Sequence, residues 1–136
     1  MQNEKIIQCV KRTLKKQPEV MFAYIHGSIL SSNNPRDIDA AAFLFPEVYK
    51  KLAGNGEVSI GMAIPLEMEL AGKLNREVDF QILNNAPLSF RYSVITRGIL
   101  VTDNDSNVRS NFEYLTRVEY FDFRPRFDEY LQEVMK

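Results

Sequence analysis

Residues 26–40, HGSILSSNNPRDIDA, join two apolar runs and decide the fold of this chain. The run before them, VMFAYIH (20–26), is rich in aromatic and branched side chains, which predicts a strand buried on both faces. The run that they open, DIDAAAFLF (37–45), predicts the next strand. A Gly-Ser pair therefore leaves one strand, and an Asp-x-Asp motif begins the other.

The two aspartates of the motif, Asp37 and Asp39, project from the same face of the strand because alternate residues of a strand share a face. Two carboxylates this close repel each other unless a cation or a shared proton lies between them. Oxygen ligands of this kind suit Mg²⁺, which commonly takes one or two carboxylates together with substrate phosphates. The alternative is a strand that begins at an exposed turn, with both aspartates in water.

Two further features favour the metal interpretation. Gly27 and Ser28 stand where the first strand ends, and a glycine lets the backbone approach a ligand closely. A serine there offers a hydroxyl and an N–H group to an anion at a helix start. Asp79 lies inside a third apolar strand, EVDFQIL (77–83), where its charge needs a partner. Two metals held by three carboxylates can activate an attacking oxygen and neutralise a leaving pyrophosphate.

The rest of the chain alternates helical and strand patterns. The predicted elements are helices over 3–17, 57–74, 88–97 and from 105 or 106 onward, a short strand over 99–102, and a loop over 50–56. Pro65 should bend the second helix or mark its start, and Pro125 should break the last helix into two pieces. This order predicts an α/β or α+β fold in a single domain over residues 1–136.

The bulk properties are those of an ordinary globular protein, with 45% hydrophobic and 26% charged residues. A net charge of −1 gives no global electrostatic argument for nucleic acid or an anionic membrane, so we expect neither as a direct partner. Cys9 is the only cysteine, which excludes an internal disulfide and fits a cytoplasmic location. We expect neither a signal peptide nor a membrane span.

The order of these motifs resembles the polymerase-β-type nucleotidyltransferases. The segments VDFQILNNAPLSFRYSVITRGILV and YFDFRPRFDEYL extend the resemblance to the minimal nucleotidyltransferase (MNT) proteins, the antitoxin halves of HEPN–MNT toxin–antitoxin pairs. It covers about residues 20–134. The resemblance implies a polymerase-β-like fold, with a small mixed sheet and helices packed mainly on one face.

The resemblance also implies a role for each candidate residue. Asp37 and Asp39 match the metal-binding pair of the family, and Asp79 matches its third carboxylate. Gly27 and Ser28 match the pair that binds the nucleotide phosphates. The implied activity is Mg²⁺-dependent transfer of AMP from ATP, in MNT proteins onto a tyrosine of the partner HEPN toxin.

The chain also departs from the family. Eight residues separate Ser28 from Asp37, fewer than the family commonly has, and the glycine and basic residues that usually follow Gly-Ser are replaced by ILSS. A catalytically degenerate antitoxin that neutralises a HEPN ribonuclease by binding alone is therefore the second hypothesis. Transfer to a small molecule such as an aminoglycoside is the third, although the chain has no room for the usual extra substrate domain.

Three further features of the sequence, at His26, at Arg36 and in segment 119–130, each allow two interpretations. His26 is either a general base or an ordinary aromatic residue at a strand end. Arg36 either meets a nucleotide phosphate or pairs with a carboxylate. The aromatic residues of segment 119–130 pack around a proline kink, and some of them form a surface for a partner.

Overall fold

A computed structural model describes residues 3–135, except for the side chain of Phe127. The helices are α1 (Asn3–Lys15), α2 (Pro46–Gly54), α3 (Ile64–Leu74), α4 (Leu88–Arg97) and α5 (Ser106–Val134). The strands are β1 (Val20–His26), β2 (Asp37–Leu44), β3 (Glu77–Ile82) and β4 (Ile99–Asp103). A 3₁₀ turn (Gly27–Leu30) follows β1, and a π-helical turn (Ser59–Ala63) leads into α3.

The four strands form one mixed sheet in the order β3-β2-β1-β4. Strand β1 runs antiparallel to both β2 and β4, whereas β2 and β3 are parallel. The parallel pair needs a long crossover, and the segment that contains α2 and α3 provides it. The predicted mixed sheet is confirmed.

One face of the sheet is covered by α1 and α3, with α2 at its margin. Helix α1 places Ile6, Val10 and Leu14 at every fourth position, and all three are fully buried. The same spacing in α3 buries three leucines, namely Leu66, Leu70 and Leu74. Each such side chain contributes about 1.5–3 kcal/mol when it leaves water, so these two stripes hold the helices on the sheet.

The second face carries α4 and the first half of α5. Phe22 of β1 stacks on Phe43 of β2 with ring centroids 4.9 Å apart, and Phe112 of α5 packs against both rings. Val94 and Ile95 of α4 complete this second cluster. The prediction that the helices pack mainly on one face is therefore corrected: both faces carry helices, because β1 and β2 are apolar on both sides.

The predicted loop over 50–56 is wrong, because residues 46–54 form helix α2. Pro46 occupies the first turn of the helix, where its missing N–H and fixed φ do no harm. Tyr49 and Leu52, three positions apart, turn toward the core that α1 and α3 form. Only the turn after Gly54 matches the predicted break.

Helix α5 is continuous over 29 residues, with Pro125 inside it. The predicted break at this proline is therefore wrong. A proline removes the hydrogen bond to the carbonyl four residues earlier. That carbonyl belongs to Phe121, which lies on an exposed part of the helix, so water can satisfy it. None of the helices in residues 3–135, α5 included, is long and apolar enough to cross a membrane.

Candidate active site

The carboxylates that the sequence singles out lie on neighbouring strands of the same sheet face. Asp39 of β2 pairs in register with Asp79 of β3, and on its other side it pairs with His26 of β1. Asp37 lies two residues before Asp39 and therefore projects from the same face. The sheet thus brings together the three predicted aspartates, at the end of the face that α4 and α5 leave open.

Gly27 lies against this row of carboxylates. Its φ of +82° belongs to the left-handed region, which disfavours residues that carry a Cβ. A Cβ added here would overlap Oδ2 of Asp39. The turn after β1 therefore requires glycine for two reasons, its backbone conformation and the closeness of the Asp39 carboxylate.

Ser28 connects the turn to the start of β2. Its Oγ donates a hydrogen bond to the carbonyl oxygen of Asp37 over 3.1 Å, and its own carbonyl accepts hydrogen bonds from the N–H groups of Ser31 and Ser32. Both Gly27 and Ser28 are exposed to solvent, as a phosphate contact requires. The structure thus shows the Ser28 hydroxyl bonded to the backbone of a candidate metal ligand.

The electrostatic environment raises the pKa of Asp39 above its usual value. Burial is the main cause; His26 opposes it, and the charges of Asp79 and Asp37 add to it. Burial also lowers the pKa of His26, against the opposing effect of Asp39 and Asp79. The site therefore holds more negative charge than its surroundings favour, which is the condition under which a cation binds well.

A metal has the right donors here, although the donors are not assembled around one point. Within residues 3–135, no group of three or more His, Cys, Asp and Glu side chains is arranged to hold a metal ion as it stands. Asp79 instead accepts a hydrogen bond from Gln81 over 2.9 Å. Asp37 and Asp79 are exposed and lie on the same sheet face as Asp39, so no buried packing fixes their carboxylates. The residues therefore fit a Mg²⁺ site in donor type and in the face that they share.

Helix α4 closes one side of the site. The ring of Phe90 meets the ring of His26 edge to face, with centroids 5.6 Å apart. Nε2 of His26 is buried and has no hydrogen-bond partner within the described part of the chain. His26 thus belongs to the site by position, and its ring packs as an aromatic residue at the end of a strand.

Arg36 does not pair with a carboxylate among residues 3–135, where the ion pairs of the described chain involve other arginines and lysines. It is exposed and lines a shallow surface recess with Asn34, Pro35 and Arg76. Arg76, rather than Arg36, makes the specific contacts there. Sequence reasoning missed Arg76 because two of its three partners, Pro35 and Asn34, lie 41 and 42 residues away, which no local pattern reveals.

A second network that sequence reasoning missed fixes α5 to the sheet. The hydroxyl of Tyr24 donates a 2.7 Å hydrogen bond to Glu113, and Arg109 bridges Glu113 to Asp103 with contacts of 3.1 Å. Burial and the neighbouring Glu113 raise the pKa of Tyr24 strongly. These groups hold α5 against the sheet and are not part of the site. In the sequence, only the spacing of four residues between Arg109 and Glu113 indicates an ion pair.

Comparison with known proteins identifies the family. The model of the family described as "Polymerase beta, Nucleotidyltransferase" matches residues 8–107, which include all five candidate residues. The chain therefore belongs to the polymerase-β-type nucleotidyltransferase family. No match was found among curated proteins.

Solved structures extend the likeness over the whole chain. One, described as a tri-AMPylated HEPN toxin of Shewanella oneidensis in complex with an MNT antitoxin, has 20% identity and a TM-score of 0.64, and the match covers 98% of this chain and 96% of that one. Another, a toxin–antitoxin with AMP-PNP, has 20% identity and a TM-score of 0.68, with full coverage of both chains. A third, from Shewanella oneidensis, has 19% identity and a TM-score of 0.70, covering 98% and 99%. This chain shares their fold.

Proposed function

We propose that this protein transfers AMP from ATP to a tyrosine hydroxyl of a partner HEPN toxin in a Mg²⁺-dependent reaction, and so acts as its antitoxin. The single observation that carries the proposal is the row of Asp37, Asp39 and Asp79 on one sheet face, with Gly27 and Ser28 against it, in a nucleotidyltransferase domain. Similar structures contain AMP-PNP and an AMPylated HEPN toxin, which supports the choice of nucleotide and acceptor.

The proposed reaction is a displacement at the α-phosphorus of ATP. The tyrosine oxygen forms a bond to this phosphorus, the bond to the bridging oxygen of the β-phosphate breaks, and pyrophosphate leaves. The phenolic proton passes to solvent. Gly27 lets the backbone of the turn approach the phosphates, and Ser28 keeps that turn in contact with β2.

The three aspartates are the residues that would hold Mg²⁺. When bound, Mg²⁺ supplies charge neutralisation for the triphosphate and lowers the pKa of the attacking hydroxyl. Because the pKa of Asp39 is raised, this carboxyl holds its proton up to a higher pH than an ordinary aspartate does, and a cation that binds there competes with the proton. We therefore expect cation binding to strengthen as pH rises through the titration of Asp39.

The second half of α5 provides a surface for the toxin. Tyr130 and Val134 lie one turn apart on the same side of the helix and expose 62% and 60% of their surface, and Met135 next to them exposes 81%. Apolar side chains exposed together along one helix mark a surface that a partner covers. Tyr24, Phe112 and Tyr120 show that α5 follows β1 and α4 toward the open end of the sheet. A toxin bound to its far half would therefore lie beside the aspartates.

We also propose that residues 1–136 act as one domain in the cytoplasm, without direct binding of nucleic acid. The family match over residues 8–107 includes all four strands and most of both core clusters, and the lone Cys9 and the net charge of −1 agree with this assignment. Binding without catalysis is the second candidate function. The observation in its favour is that the carboxylates of residues 3–135 are not assembled into a metal-holding group.

The test is a transfer assay with the purified toxin, Mg²⁺ and ATP labelled on its α-phosphate. We expect label on a toxin tyrosine, located by peptide mass spectrometry, and none with Asp39→Asn. Glu47→Gln is the matched control, since it removes an exposed carboxylate from α2 on the opposite face of the sheet. Toxin that remains unlabelled yet is neutralised by the wild-type protein would favour the binding-only function.

A further inference from the structure

Residues 27–37 connect the phosphate-binding turn to the first aspartate, and one arginine outside this segment holds its end in place. We propose that Arg76 is a positioning residue that keeps the segment in its nucleotide-binding shape before any ligand arrives. The proposal rests on the proposed function, because it concerns the same site. It assigns a role to a residue that neither the motif nor the family match singles out.

Arg76 uses three nitrogens for three different partners. Its Nε donates to the carbonyl oxygen of Pro35 over 2.9 Å, and its Nη2 donates to Oδ1 of Asn34 over 3.1 Å. Its Nη1 donates to the carbonyl oxygen of Leu74 over 3.1 Å, at the end of α3. One planar guanidinium thus ties the end of the loop to the end of a helix that is anchored in the core, a geometry that a lysine cannot reproduce.

These contacts lie at the first rung of the parallel ladder. Pro35 is buried and stands two residues before Asp37, while Glu77 directly follows Arg76. Asp37 and Glu77 are the first pair in the register of β2 and β3. If the guanidinium contacts are lost, the chain before Asp37 is free to shift, and Asp37 and Ser28 shift with it.

The other side of the same segment is held by α1. Nδ2 of Asn3 donates to the carbonyl oxygens of Ile29 and Ser32, over 3.2 and 2.7 Å. Asn3 therefore holds the first half of the segment, Arg76 holds its end, and the bond from Ser28 to Asp37 joins its two ends. The eight residues between Ser28 and Asp37 thus form a short loop that hydrogen bonds from Asn3 and Arg76 hold in place.

Loss of the Arg76 contacts should affect the binding of Mg-ATP more than the catalytic rate. If only a fraction of the molecules has the competent loop shape, the apparent dissociation constant for the nucleotide rises by the inverse of that fraction. Once Mg-ATP is bound, its contacts with the turn restore the shape. Loss of Arg76 should therefore raise Kd and KM for Mg-ATP while kcat at saturation changes little.

The experiment compares Arg76→Ala and Arg76→Lys with the wild type and with Arg97→Ala, a control that removes an exposed arginine from the last turn of α4. It measures Kd for Mg-ATP, kcat with the toxin, and amide hydrogen exchange of residues 28–37 without nucleotide. We expect Arg76→Ala to raise Kd about tenfold, the loss expected for charge-assisted hydrogen bonds, and to leave kcat within about threefold. Exchange of residues 28–37 should accelerate, and Mg-ATP should slow it again.

Arg76→Lys should lie between the wild type and Arg76→Ala, because a single ammonium nitrogen cannot reach all three acceptors that the guanidinium spans. Wild-type affinity in Arg76→Lys would overturn the proposal, since a positive charge alone would then suffice. A large fall in kcat at unchanged Kd would also overturn it, because Arg76 would then act on the reacting groups.

Two provisions keep the test decisive. If Arg76→Ala fails to fold, Asn34→Ala removes a single contact of the guanidinium and should still accelerate exchange in residues 28–37; unchanged exchange would refute the proposal. A wild-type protein that binds no Mg-ATP would refute the proposed function instead. The exchange measurement without nucleotide tests the role of Arg76 separately from that outcome.

Discussion

The turn that carries Gly27 and Ser28 and the far half of α5 are built in opposite ways. Hydrogen bonds from Asn3 and Ser28 hold this turn, and those from Arg76 hold the end of the segment that joins the turn to Asp37. The far half of α5 extends beyond α4, and its large apolar side chains face solvent. A site for chemistry needs fixed geometry before the substrate arrives, whereas a surface for a partner needs apolar area that the partner can cover. The molecule therefore separates catalysis from partner recognition, and substitutions should affect one without the other.

The largest effect is expected from Asp39→Asn. Asp39 is central to the row of acidic residues, so its replacement removes a proposed metal ligand and should lower AMP transfer by about 100- to 1,000-fold. Toxin binding, measured by calorimetry, should stay within about twofold of the wild type, since the α5 surface is unchanged. A variant that loses toxin binding together with transfer would contradict the separation of the two regions.

The converse substitution is Tyr130→Asp combined with Val134→Asp. Each places a charge where the proposed interface is apolar, and an interface anchor of this kind commonly contributes more than about 1 kcal/mol, so toxin affinity should fall about 10- to 100-fold. Kd for Mg-ATP should not change. Equal toxin affinity in this variant, measured by surface plasmon resonance, would exclude the far half of α5 as the docking surface.

Ser28→Ala should have an intermediate effect on catalysis. The hydroxyl ties the turn to Asp37, and loss of such a hydrogen bond costs about 0.5–1.5 kcal/mol, or roughly two- to tenfold in transfer rate. The fold should stay intact because the substitution removes one exposed oxygen. Single-turnover kinetics on the toxin would check this, and an unchanged rate constant would remove Ser28 from the site.

The smallest expected effect is on stability, and it depends on pH. Because the pKa of Asp39 is raised in the folded chain, the folded state binds more protons than the unfolded state between the ordinary value and the raised one. Stability without Mg²⁺ is therefore lost as pH rises through that window. Asp39→Asn should therefore raise Tm at neutral pH, and the gain should vanish below about pH 4, near the pKa of an ordinary aspartate.

With Mg-ATP present, the wild type should become more stable than Asp39→Asn. A ligand that binds only the folded state raises Tm by mass action, so millimolar Mg-ATP should stabilise the wild type and leave Asp39→Asn unaffected. Differential scanning fluorimetry with and without Mg-ATP measures both effects. A wild-type melting curve that Mg-ATP does not move would favour the binding-only function.

Much of the fold was predictable because local patterns agreed with it. The strands around residues 26–40 and the amphipathic spacing of α1 are direct consequences of residue type. Helix α2 was not predicted because Gly54 and Gly56, at and just beyond its end, are typical of a loop. The proline in its first turn is equally compatible with a loop and with a helix start. The continuity of α5 through Pro125 was missed because the cost of a proline depends on whether water reaches the freed carbonyl, which is a property of the tertiary structure.

For the candidate site, too, local patterns predicted some features and only the tertiary structure reveals the others. Strand phasing correctly placed Asp37 and Asp39 on one face, and the parallel register of β2 and β3 places Asp79 beside them. The roles of these residues and of Gly27 stay predictions until the experiments above are done. Arg76 and Asn3 could not be anticipated, since their contacts join segments about 26 to 41 residues apart along the chain.

The most direct test of catalytic neutralisation is a stoichiometry measurement. HEPN toxin is mixed with decreasing amounts of this protein in the presence of Mg-ATP, and residual toxin activity is followed to its end point. An enzyme turns over, so we predict that one molecule inactivates about ten or more toxin molecules, and that omission of ATP or Asp39→Asn abolishes this excess. An end point that stays at a fixed binding ratio, with or without ATP, would contradict the account and show that the protein acts by binding alone.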